Sequence, residues 1–356
     1  LTLLSKNIYP LPNMKEKDDH SFFAFEDKEN KYRYRHLDLI VNPKSKDTFK
    51  MRSNIIFKIR CLLNEKGFME VETPILQNLH GGASAKPFIT HHNALGQDFY
   101  LRIAEELYLK RLIVGGFEKI YEIGKNFRNE GIDRTHNPEF TMLELYESYS
   151  DVDGMMLLCE KLIKDISKDL KLKNITFMGN EINLNKKFNK ISMSDLVQEE
   201  FGCDVLSMND KELYKLCKDY KLDIDKKMNF GQLFDKLFST LIEPKLIQPT
   251  FVFDYPKSIS PLAKVHRKND KLVERFELFV AGMEFANAFS ELNDPIDQRK
   301  RFEDQLELLK SGDEEAHQMD TEFIEAMEIG MPPTGGIGIG IDRLVMLFLE
   351  KDSIKD

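Results

Sequence analysis

The sequence of 356 residues lacks any apolar run that approaches the ~18 residues of a membrane-spanning helix, which excludes a spanning protein. Cysteine is scarce, and no two cysteines form a CxxC pair, so neither a zinc ribbon nor a disulfide framework is expected. A reduced interior, cytoplasmic or organellar, fits this usage better than secretion. The net charge of −9 argues against a protein that coats nucleic acid by bulk electrostatics.

The order of apolar patterns indicates an α+β protein. Apolar stripes at helical spacing predict helices near 104–112, 155–170 and 302–309, and β-type stretches lie between them. Residues 1–36 resemble a connector, strand-like over 1–6 and without helical period. Residues of about 186–248 are rich in lysine and helix-forming stretches, which predicts a small helical insertion. Because strands and helices do not alternate regularly, we expect an antiparallel sheet flanked by helices, with the site on the sheet.

A basic segment, Lys44–Arg60, is predicted to be helical in its second half. It carries six cations against one aspartate. A solvated helix face is the preferred interpretation, and contact with a nucleic-acid backbone is the alternative.

The first candidate site motif lies on two β-type stretches, Lys119–Arg128 and Phe140–Tyr146. Alternation along a strand places Arg128 and Glu130 on one face. An arginine fork suits a phosphate or carboxylate, and a phenylalanine face suits a planar base. An ordinary salt bridge between Arg128 and Glu130 is the alternative interpretation.

The second motif is a pair of acidic strands joined at Ala281-Gly282, a predicted hairpin turn. In that register Glu277 lies diagonally beside Glu284, and two such carboxylates repel each other unless a cation lies between them. Mg²⁺ with phosphate oxygens is the natural candidate. Asn287 and Glu291 share a strand face that is out of phase with Glu284, so one cavity for all of them requires a bulge near residues 285–286.

The third motif is a strand with glycine at alternate positions, which ends at Gly340 and is followed by Arg343. Glycines at every second position leave one face without side chains, so a flat ligand can approach the backbone. Arg343 begins a helix and can reach a polyphosphate. The phosphate-cradling pattern GxxxxGK[ST] is absent from the sequence.

Together these segments resemble the class II aminoacyl-tRNA synthetases. Residues 66–76 are similar to motif 1 of that family, residues 127–140 to motif 2, and residues 336–343 to motif 3. Segments 81–83, 102–110, 260–264 and 290–295 resemble the lysyl-tRNA synthetases in particular. Two departures occur: the basic residue of the motif 2 loop does not directly precede His136, and Glu105 stands where many relatives have proline, a difference expected to be neutral.

The resemblance implies a domain order. Residues 1–36 would be the end of an anticodon-binding OB domain and its linker, the rest of which lies outside this sequence. Residues 37–356 would be the catalytic domain, with the insertion at about 186–248. Motif 1 lies at a two-fold interface in this family, so a homodimer is implied.

The resemblance also implies the reaction: activation of lysine by ATP to lysyl-adenylate and pyrophosphate, then transfer of lysyl to the 3′ end of tRNA(Lys). The implied catalytic residues are Arg128 and Arg343. The implied ATP-binding residues are Arg128, Glu130, His136, Asn137, Phe140, Glu277, Gly340 and Arg343. The implied lysine-binding residues are Gly82, Glu106, Arg128, Glu144, Tyr146, Asn287 and Glu291. The implied Mg²⁺ ligands are Glu277 and Glu284.

Substrate identity also has a physical argument, because several carboxylates in one pocket need cationic partners and lysine brings two ammonium groups. By resemblance, Glu106 lies at the α-amino end and Glu291 at the side-chain end. Two alternatives stay open: a paralogue that lysylates a protein instead of tRNA, and a catalytically silent binding module. The partners expected are ATP, lysine, tRNA and a second copy of the chain, with no membrane, in the cytoplasm or an organelle.

Overall fold

The computed structural model describes residues 1–12, 14–17, 20–23, 25, 27–226, 228–312 and 315–356, with only the backbone of 14–17 and 20–23 described. Its helices are α1 (Lys28–Arg33), α2 (Arg35–Val41), α3 (Pro43–Glu65), α4 (Glu106–Val114), α5 (Val152–Asp169), α6 (Met193–Phe201), α7 (Asp210–Asp219), α8 (Phe230–Leu241), α9 (Pro295–Lys310), α10 (Thr321–Gly330) and α11 (Ile341–Phe348). Its strands are β1 (Met14–Lys17), β2 (His20–Phe23), β3 (Met69–Glu70), β4 (Leu76–Gln77), β5 (Ile89–His92), β6 (Gln97–Leu101), β7 (Lys119–Phe127), β8 (Glu139–Ser148), β9 (Ile175–Phe177), β10 (Asn180–Ile182), β11 (Asn189–Ser192), β12 (Thr250–Pro256), β13 (Val265–His266), β14 (Asn269–Val280), β15 (Met283–Ser290) and β16 (Thr334–Gly340).

A large mixed sheet organises the molecule. Within the described residues its strand order is β11-β12-β14-β15-β16-β8-β7-β3, and β13 pairs with β14. The inner strands are antiparallel, whereas the outer pairs β11–β12 and β3–β7 are parallel. The α+β prediction is therefore confirmed, with the difference that both edges of the sheet are parallel pairs.

Strict alternation separates a core face of the sheet from a site face. On β16, Ile337 and Ile339 are buried in the main apolar core, which also contains residues of α3, α5 and α11. The alternate glycines of β16 face the opposite way and line a cavity. Because the strand period is two, one sequence supplies both the apolar surface for folding and the open surface for a ligand.

The hairpin between β14 and β15 confirms two predictions. Its turn is Ala281-Gly282, and both residues have positive φ, 51° and 73°, as a two-residue primed turn requires. The register changes between Leu278 and Phe279, so that Phe279 pairs with Glu284 and Phe285 is the extra residue. This is the bulge predicted near residues 285–286. It lets Glu284 line the same cavity as Asn287 and Glu291, although simple alternation would put them on opposite faces.

Residues 189–252 carry three of the helices, α6, α7 and α8, on one edge of the sheet. Their apolar faces form a second buried cluster that includes Leu213, Phe234 and Leu237. Asparagine capping boxes begin α7 and α8, with Asn209 paired to Glu212 and Asn229 to Gln232. Strand β11 joins this segment to the sheet beside β12.

Two local predictions near the N-terminus are wrong, and the helix predicted in the second half of the basic segment proves to begin earlier. Residues 1–6 have no regular structure, and residues 28–33 are helical because Asp27 caps α1 through the N–H of Asn30 at 2.9 Å. The basic segment is helical from Pro43 onward, since proline at the first position suits a helix start. Of its cations, Arg52, Lys58 and Arg60 form ion pairs with Asp342, Asp169 and Glu70. Within the described residues no helix is both long and apolar enough to cross a membrane.

Candidate active site

A cavity of about 560 Å³ lies over the glycine face of β16. It brings together every residue that the sequence analysis assigned to the site. These residues are Gly82, Glu106, Arg128, Glu130, His136, Asn137, Phe140, Glu144, Tyr146, Glu277, Glu284, Asn287, Glu291, Gly340 and Arg343. The cavity has three parts: an acidic end (Glu106, Glu144 and Glu291), an arginine end (Arg128, His136 and Arg343) and a carboxyl cluster (Asp235, Glu243, Glu277 and Glu284).

Sheet register builds the acidic end. Gly338 of β16 pairs with Glu144 on one side and with Asn287 on the other. Since directly paired residues share a face, the two polar side chains border a position that has no side chain. Tyr146, two pairs further along and therefore on the same face, donates a hydrogen bond from its hydroxyl to Oε2 of Glu144 at 3.1 Å. The register thereby leaves room for an elongated ligand between two polar walls.

The acidic end is almost completely buried. Glu106, Glu144 and Glu291 are only 6%, 4% and 1% exposed. Glu106 is the first residue of α4, and Glu291 directly follows β15. Burial, opposed by Lys110 and assisted by Glu106, raises the pKa of Glu291 to about 8. A buried group of carboxyls like this one favours a cationic ligand.

Lys110 is a site residue that the sequence analysis missed. Its ammonium nitrogen lies 2.5 Å from Oε1 of Glu106 and 2.5 Å from Oε2 of Glu291. A signal existed in the spacing, because residues i and i+4 of a helix are neighbours and Glu106 precedes Lys110 by four. The second partner lies 181 residues further along the chain, and no local pattern predicts it.

Glu105 was expected to be neutral for the site, and the structure shows that it belongs to a buried polar network beside the acidic end. The side chain is fully buried, its Oε2 accepts a 2.6 Å hydrogen bond from Asn126, and Arg102 lies 3.4 Å away. Burial, Glu105 and Glu106, in that order, hold the pKa of Glu144 well above its ordinary value. The residue in place of the usual proline therefore changes the electrostatics of the acidic end.

At the arginine end, Arg128 lies over an aromatic ring. Its guanidinium carbon is 5.1 Å from the ring centroid of Phe140, and Nε donates to the carbonyl of Ile103 at 3.4 Å. The strand prediction for Arg128 and Glu130 is wrong, because β7 ends at Phe127. Arg128 still pairs through its N–H with the carbonyl of Pro138 at 2.9 Å, which directs the loop back toward the cavity.

A hydrogen-bonded chain connects the loop after β7 with α11. Oδ2 of Asp133 lies 2.8 Å from Nδ1 of His136, and Nε2 of His136 lies 3.0 Å from Nη2 of Arg343. Because the arginine can only donate, Nε2 of His136 accepts this hydrogen bond. Nδ1 therefore carries the ring proton and donates a hydrogen bond to Oδ2 of Asp133. Arg343 also donates through Nη1 to the carbonyl of Glu284 at 2.7 Å. The side chain of Asn137 donates to the carbonyl of Glu139 at 2.6 Å and so shapes the same loop.

The carboxyl cluster contains more acid than the two predicted metal ligands. Oε1 of Glu277 lies 2.5 Å from Nη2 of Arg275, and Oε2 accepts from the hydroxyl of Tyr255 at 2.9 Å. Burial raises the pKa of Glu277 to about 7, against the effect of Arg275 and with that of Glu284. Burial, followed by Glu277 and Glu284, raises the pKa of Glu243 to about 8. Raised carboxyl pKa values indicate a shortage of positive charge at this place.

No group of three or more histidine, cysteine, aspartate or glutamate side chains in the described part of the chain forms a ready-made metal cage. The carboxyl cluster fits Mg²⁺ in another way, since this ion keeps several waters and commonly binds one or two carboxylates together with substrate phosphates. Glu243, Asp235 and Arg275 were missed by the sequence analysis because they come from the insertion and from an inward position of β14.

Comparisons with known proteins agree with this geometry. A family model described as tRNA synthetases class II (D, K and N) matches residues 27–356. The chain is 52% identical to a lysine–tRNA ligase of Azobacteroides pseudotrichonymphae, covering 100% of the chain and 71% of that protein. It is 51% identical to one of Halalkalibacterium halodurans, covering 99% of the chain and 70% of the relative. It is 50% identical to one of Porphyromonas gingivalis, where it spans 62% of the relative's length.

These similarities extend over the whole described cavity, and they confirm the resemblance that the three motifs indicated. The chain belongs to the class II tRNA synthetases of the D, K and N group and, within it, to the family of the lysine–tRNA ligases.

Proposed function

We propose that the chain activates lysine with ATP, giving lysyl-adenylate and pyrophosphate, and then transfers the lysyl group to the 3′ end of tRNA(Lys). The observation that carries this proposal is the acidic end, where three buried carboxyl groups lie with a single protein ammonium between two of them. Burying this much acid is costly unless cations arrive. Lysine brings an ammonium at each end.

Glu106 receives the α-ammonium and Glu291 the ε-ammonium in this proposal. Gly82, Glu144, Tyr146 and Asn287 complete the pocket. A pocket for aspartate or asparagine would need an arginine or neutral donors in place of Glu291. The selectivity therefore rests on charge: a side chain without a terminal cation would leave a buried carboxyl unpaired.

The first step joins a substrate oxygen to phosphorus. A carboxylate oxygen of lysine attacks the α-phosphorus of ATP, the bond to the pyrophosphate oxygen breaks, and pyrophosphate leaves with the electron pair. The carboxylate is already ionised at neutral pH, so the step needs no general base. Positioning and charge neutralisation provide the catalysis.

Arg128 bridges the lysine carboxylate and the α-phosphate in this scheme. Its guanidinium lies over the ring of Phe140 and lines the same cavity as the acidic end, which supports this assignment. Phe140 supplies a stacking surface for one face of adenine, and Arg343 lies on the other face of the base in this scheme. The remaining nucleotide contacts are assigned to Glu130, His136, Asn137, Glu277 and Gly340.

Mg²⁺ is the ion that suits the carboxyl cluster, with Glu277 and Glu284 as its protein ligands. Bound there, it would neutralise charge on the ATP phosphates. The raised pKa values of Glu277 and Glu243 support a cation at this place. Arg275 and Tyr255 keep Glu277 in its orientation.

In the second step a hydroxyl of the 3′-terminal ribose of tRNA attacks the lysyl carbonyl, and AMP leaves. Acyl transfer requires that the hydroxyl proton pass to the departing phosphate or to water.

A homodimer formed through motif 1 is also part of the proposal. Large apolar side chains are exposed around that motif; Phe57 of α3, Met69 of β3 and Ile89 of β5 are 63%, 44% and 62% exposed. Ile75 and Leu76 nearby are each 43% exposed. An apolar surface of this kind is typical of a subunit interface.

All four cysteines are free thiols, which supports a cytoplasmic location.

The test of the proposed function is ATP–pyrophosphate exchange with each of the twenty amino acids. Exchange that depends on lysine, with at least about 100-fold lower kcat/KM for any other amino acid, is expected from a pocket that needs two ammonium groups. Charging of purified tRNA(Lys), compared with lysylation of a protein acceptor, tests the second step. Exchange driven by aspartate or asparagine would contradict the assignment.

A further inference from the structure

A fully buried lysine lies behind the acidic end of the cavity. The side chain of Lys110 is 0% exposed, and its ammonium contacts carboxylates from two separate elements. Glu106 and Glu291 both line the cavity, whereas Lys110 does not. The ammonium therefore reaches the two carboxylates from the protein side and leaves their other side to the ligand.

This arrangement differs from an ordinary helix ion pair. Lys161 and Asp165 on α5 show the ordinary case: they are four residues apart, 2.8 Å from each other, with 57% and 32% exposed side chains. Surface pairs of this type contribute little. Lys110 instead loses all its water, a cost that only close carboxylates can offset. Burial lowers its pKa, yet Glu106 and Glu291 outweigh burial and raise it, so the ammonium stays charged.

We propose that Lys110 is a positioning residue for the lysine substrate: it fixes the separation of Glu106 and Glu291 and holds Glu291 in the orientation that receives an ammonium. It does so without touching the substrate. This inference rests on the proposed function and adds to it a residue outside the cavity lining.

The geometry of Glu291 supports this role. Its Oε2 pairs with Lys110 at 2.5 Å but, within the described residues, accepts no hydrogen bond of good geometry. Oε1 of the same carboxyl lies beside Gly336, a residue of the cavity lining. Lys110 thus holds one oxygen of Glu291 and leaves the other to a substrate ammonium.

The charges around Glu291 give the inference a pH signature. The titratable groups that face it are Glu106, Lys110 and Tyr146. Burial and Glu106 favour the protonated acid, and Lys110 favours the carboxylate. His317 lies near Lys110, and burial with His80 and Lys110 lowers its pKa to about 4, so it stays neutral at pH 7. Lys110 is therefore the cation that opposes protonation of Glu291, and its removal moves the ionisation of Glu291 to higher pH.

The experiment compares Lys110→Met with the wild type and with Lys161→Met, which removes the exposed i,i+4 lysine. ATP–pyrophosphate exchange is measured from pH 6.5 to 9.5. For Lys110→Met, kcat/KM for lysine should fall by about 10–100-fold at pH 7, and the loss should shrink by up to about tenfold per pH unit above about pH 8, where Glu291 of the wild type is ionised and that of the variant is still ionising. KM for ATP should stay within about twofold in both variants, and Lys161→Met should match the wild type.

A loss of equal size at every pH, or an equal loss in KM for ATP, would mean that Lys110 only supports the fold and would overturn the inference. If Lys110→Met does not fold, Lys110→Arg is the test. Arginine keeps the positive charge on a larger group, the guanidinium, so KM for lysine should rise. The pH at which kcat/KM falls on the acid side of the profile should stay at its wild-type value. An unchanged KM for lysine, or a shift of the acid side of the kcat/KM profile to another pH, contradicts the inference. Absence of lysine-dependent exchange in the wild type would instead refute the proposed function.

Discussion

Gly336 and Glu291 share a space that holds only one of two groups, a carboxylate or a methyl. A Cβ atom on Gly336 would overlap Oε1 of Glu291 and lie 2.6 Å from Cε1 of Tyr146. These two side chains are nearly completely buried. The glycine in motif 3 is therefore needed by the acidic end, in addition to leaving a flat face on β16.

Gly336→Ala should damage lysine use more than ATP use. The new methyl displaces Glu291 or Tyr146 by about 1 Å, and misplacement of that size costs up to about 100-fold in rate. We expect kcat/KM for lysine to fall by about 100-fold and KM for ATP to change less. Both are measured by ATP–pyrophosphate exchange. An equal rise in KM for ATP, or a kcat/KM for lysine close to the wild-type value, would contradict the explanation.

Lysine binding should release protons at neutral pH. With a pKa of about 8, Glu291 is mostly protonated at pH 7 in the free protein, and a bound ammonium favours the carboxylate. Affinity for lysine should therefore rise as the pH increases toward 8, with release of up to about one proton per site at pH 7 and much less at pH 9. Calorimetry in buffers of different ionisation enthalpy measures this number. Equal release at both pH values would speak against Glu291 as the titrating group.

The same shift has a consequence for stability. A carboxyl whose pKa is raised in the folded protein binds more protons folded than unfolded, so the free energy of unfolding falls as the pH increases from about 4.5 to about 8. Glu291, Glu277 and Glu243 all contribute with this sign. The thermal midpoint of the free protein should drop across this range, and lysine with Mg-ATP should reduce the drop. A midpoint that rises steadily from pH 5 to 8 would contradict the assignment of these pKa values.

Asp133 should act on ATP through His136. Oδ1 of Asp133 accepts from the backbone N–H groups of Thr135 and His136 at 2.7 Å each, and Oδ2 holds the imidazole. Asp133→Ala frees the ring, so KM for ATP should rise about three- to tenfold while KM for lysine changes less than twofold. Asp133→Asn, which can keep the backbone contacts, should show a smaller effect. An unchanged KM for ATP in the alanine variant would remove this loop from the nucleotide site.

The proposed interface predicts a change in oligomeric state. Phe57→Glu places a charge where an apolar side chain would meet a second copy, so a dimer should dissociate in light scattering coupled to gel filtration. Ile296→Glu is the matched control, since Ile296 on α9 is 80% exposed and α9 is not among the elements that carry motif 1. A wild-type monomer, or dissociation by both variants, would contradict an interface at motif 1.

The features that the sequence predicted correctly depend on local rules, such as strand alternation and turn geometry. The turn at Ala281-Gly282 and the bulge beside Glu284 were predictable because alternation and a two-residue turn fix the phase of each side chain. Lys110 was missed because its partner Glu291 is distant in sequence, and Glu105 was missed because its effect on Glu144 depends on burial. The parallel edge strands were missed because their pairing is nonlocal. Long-range electrostatics and strand order arise only when the chain is folded.

The central claim is that Glu291 recognises the ε-ammonium of lysine, and Glu291→Gln tests it most directly. The amide keeps the shape of the side chain and removes its charge, which should cost about 2–4 kcal/mol in lysine activation, or roughly 30- to 1,000-fold in kcat/KM. We predict this loss in lysine-dependent pyrophosphate exchange, with KM for ATP changed less than about threefold. Exchange at close to the wild-type rate would contradict the claim.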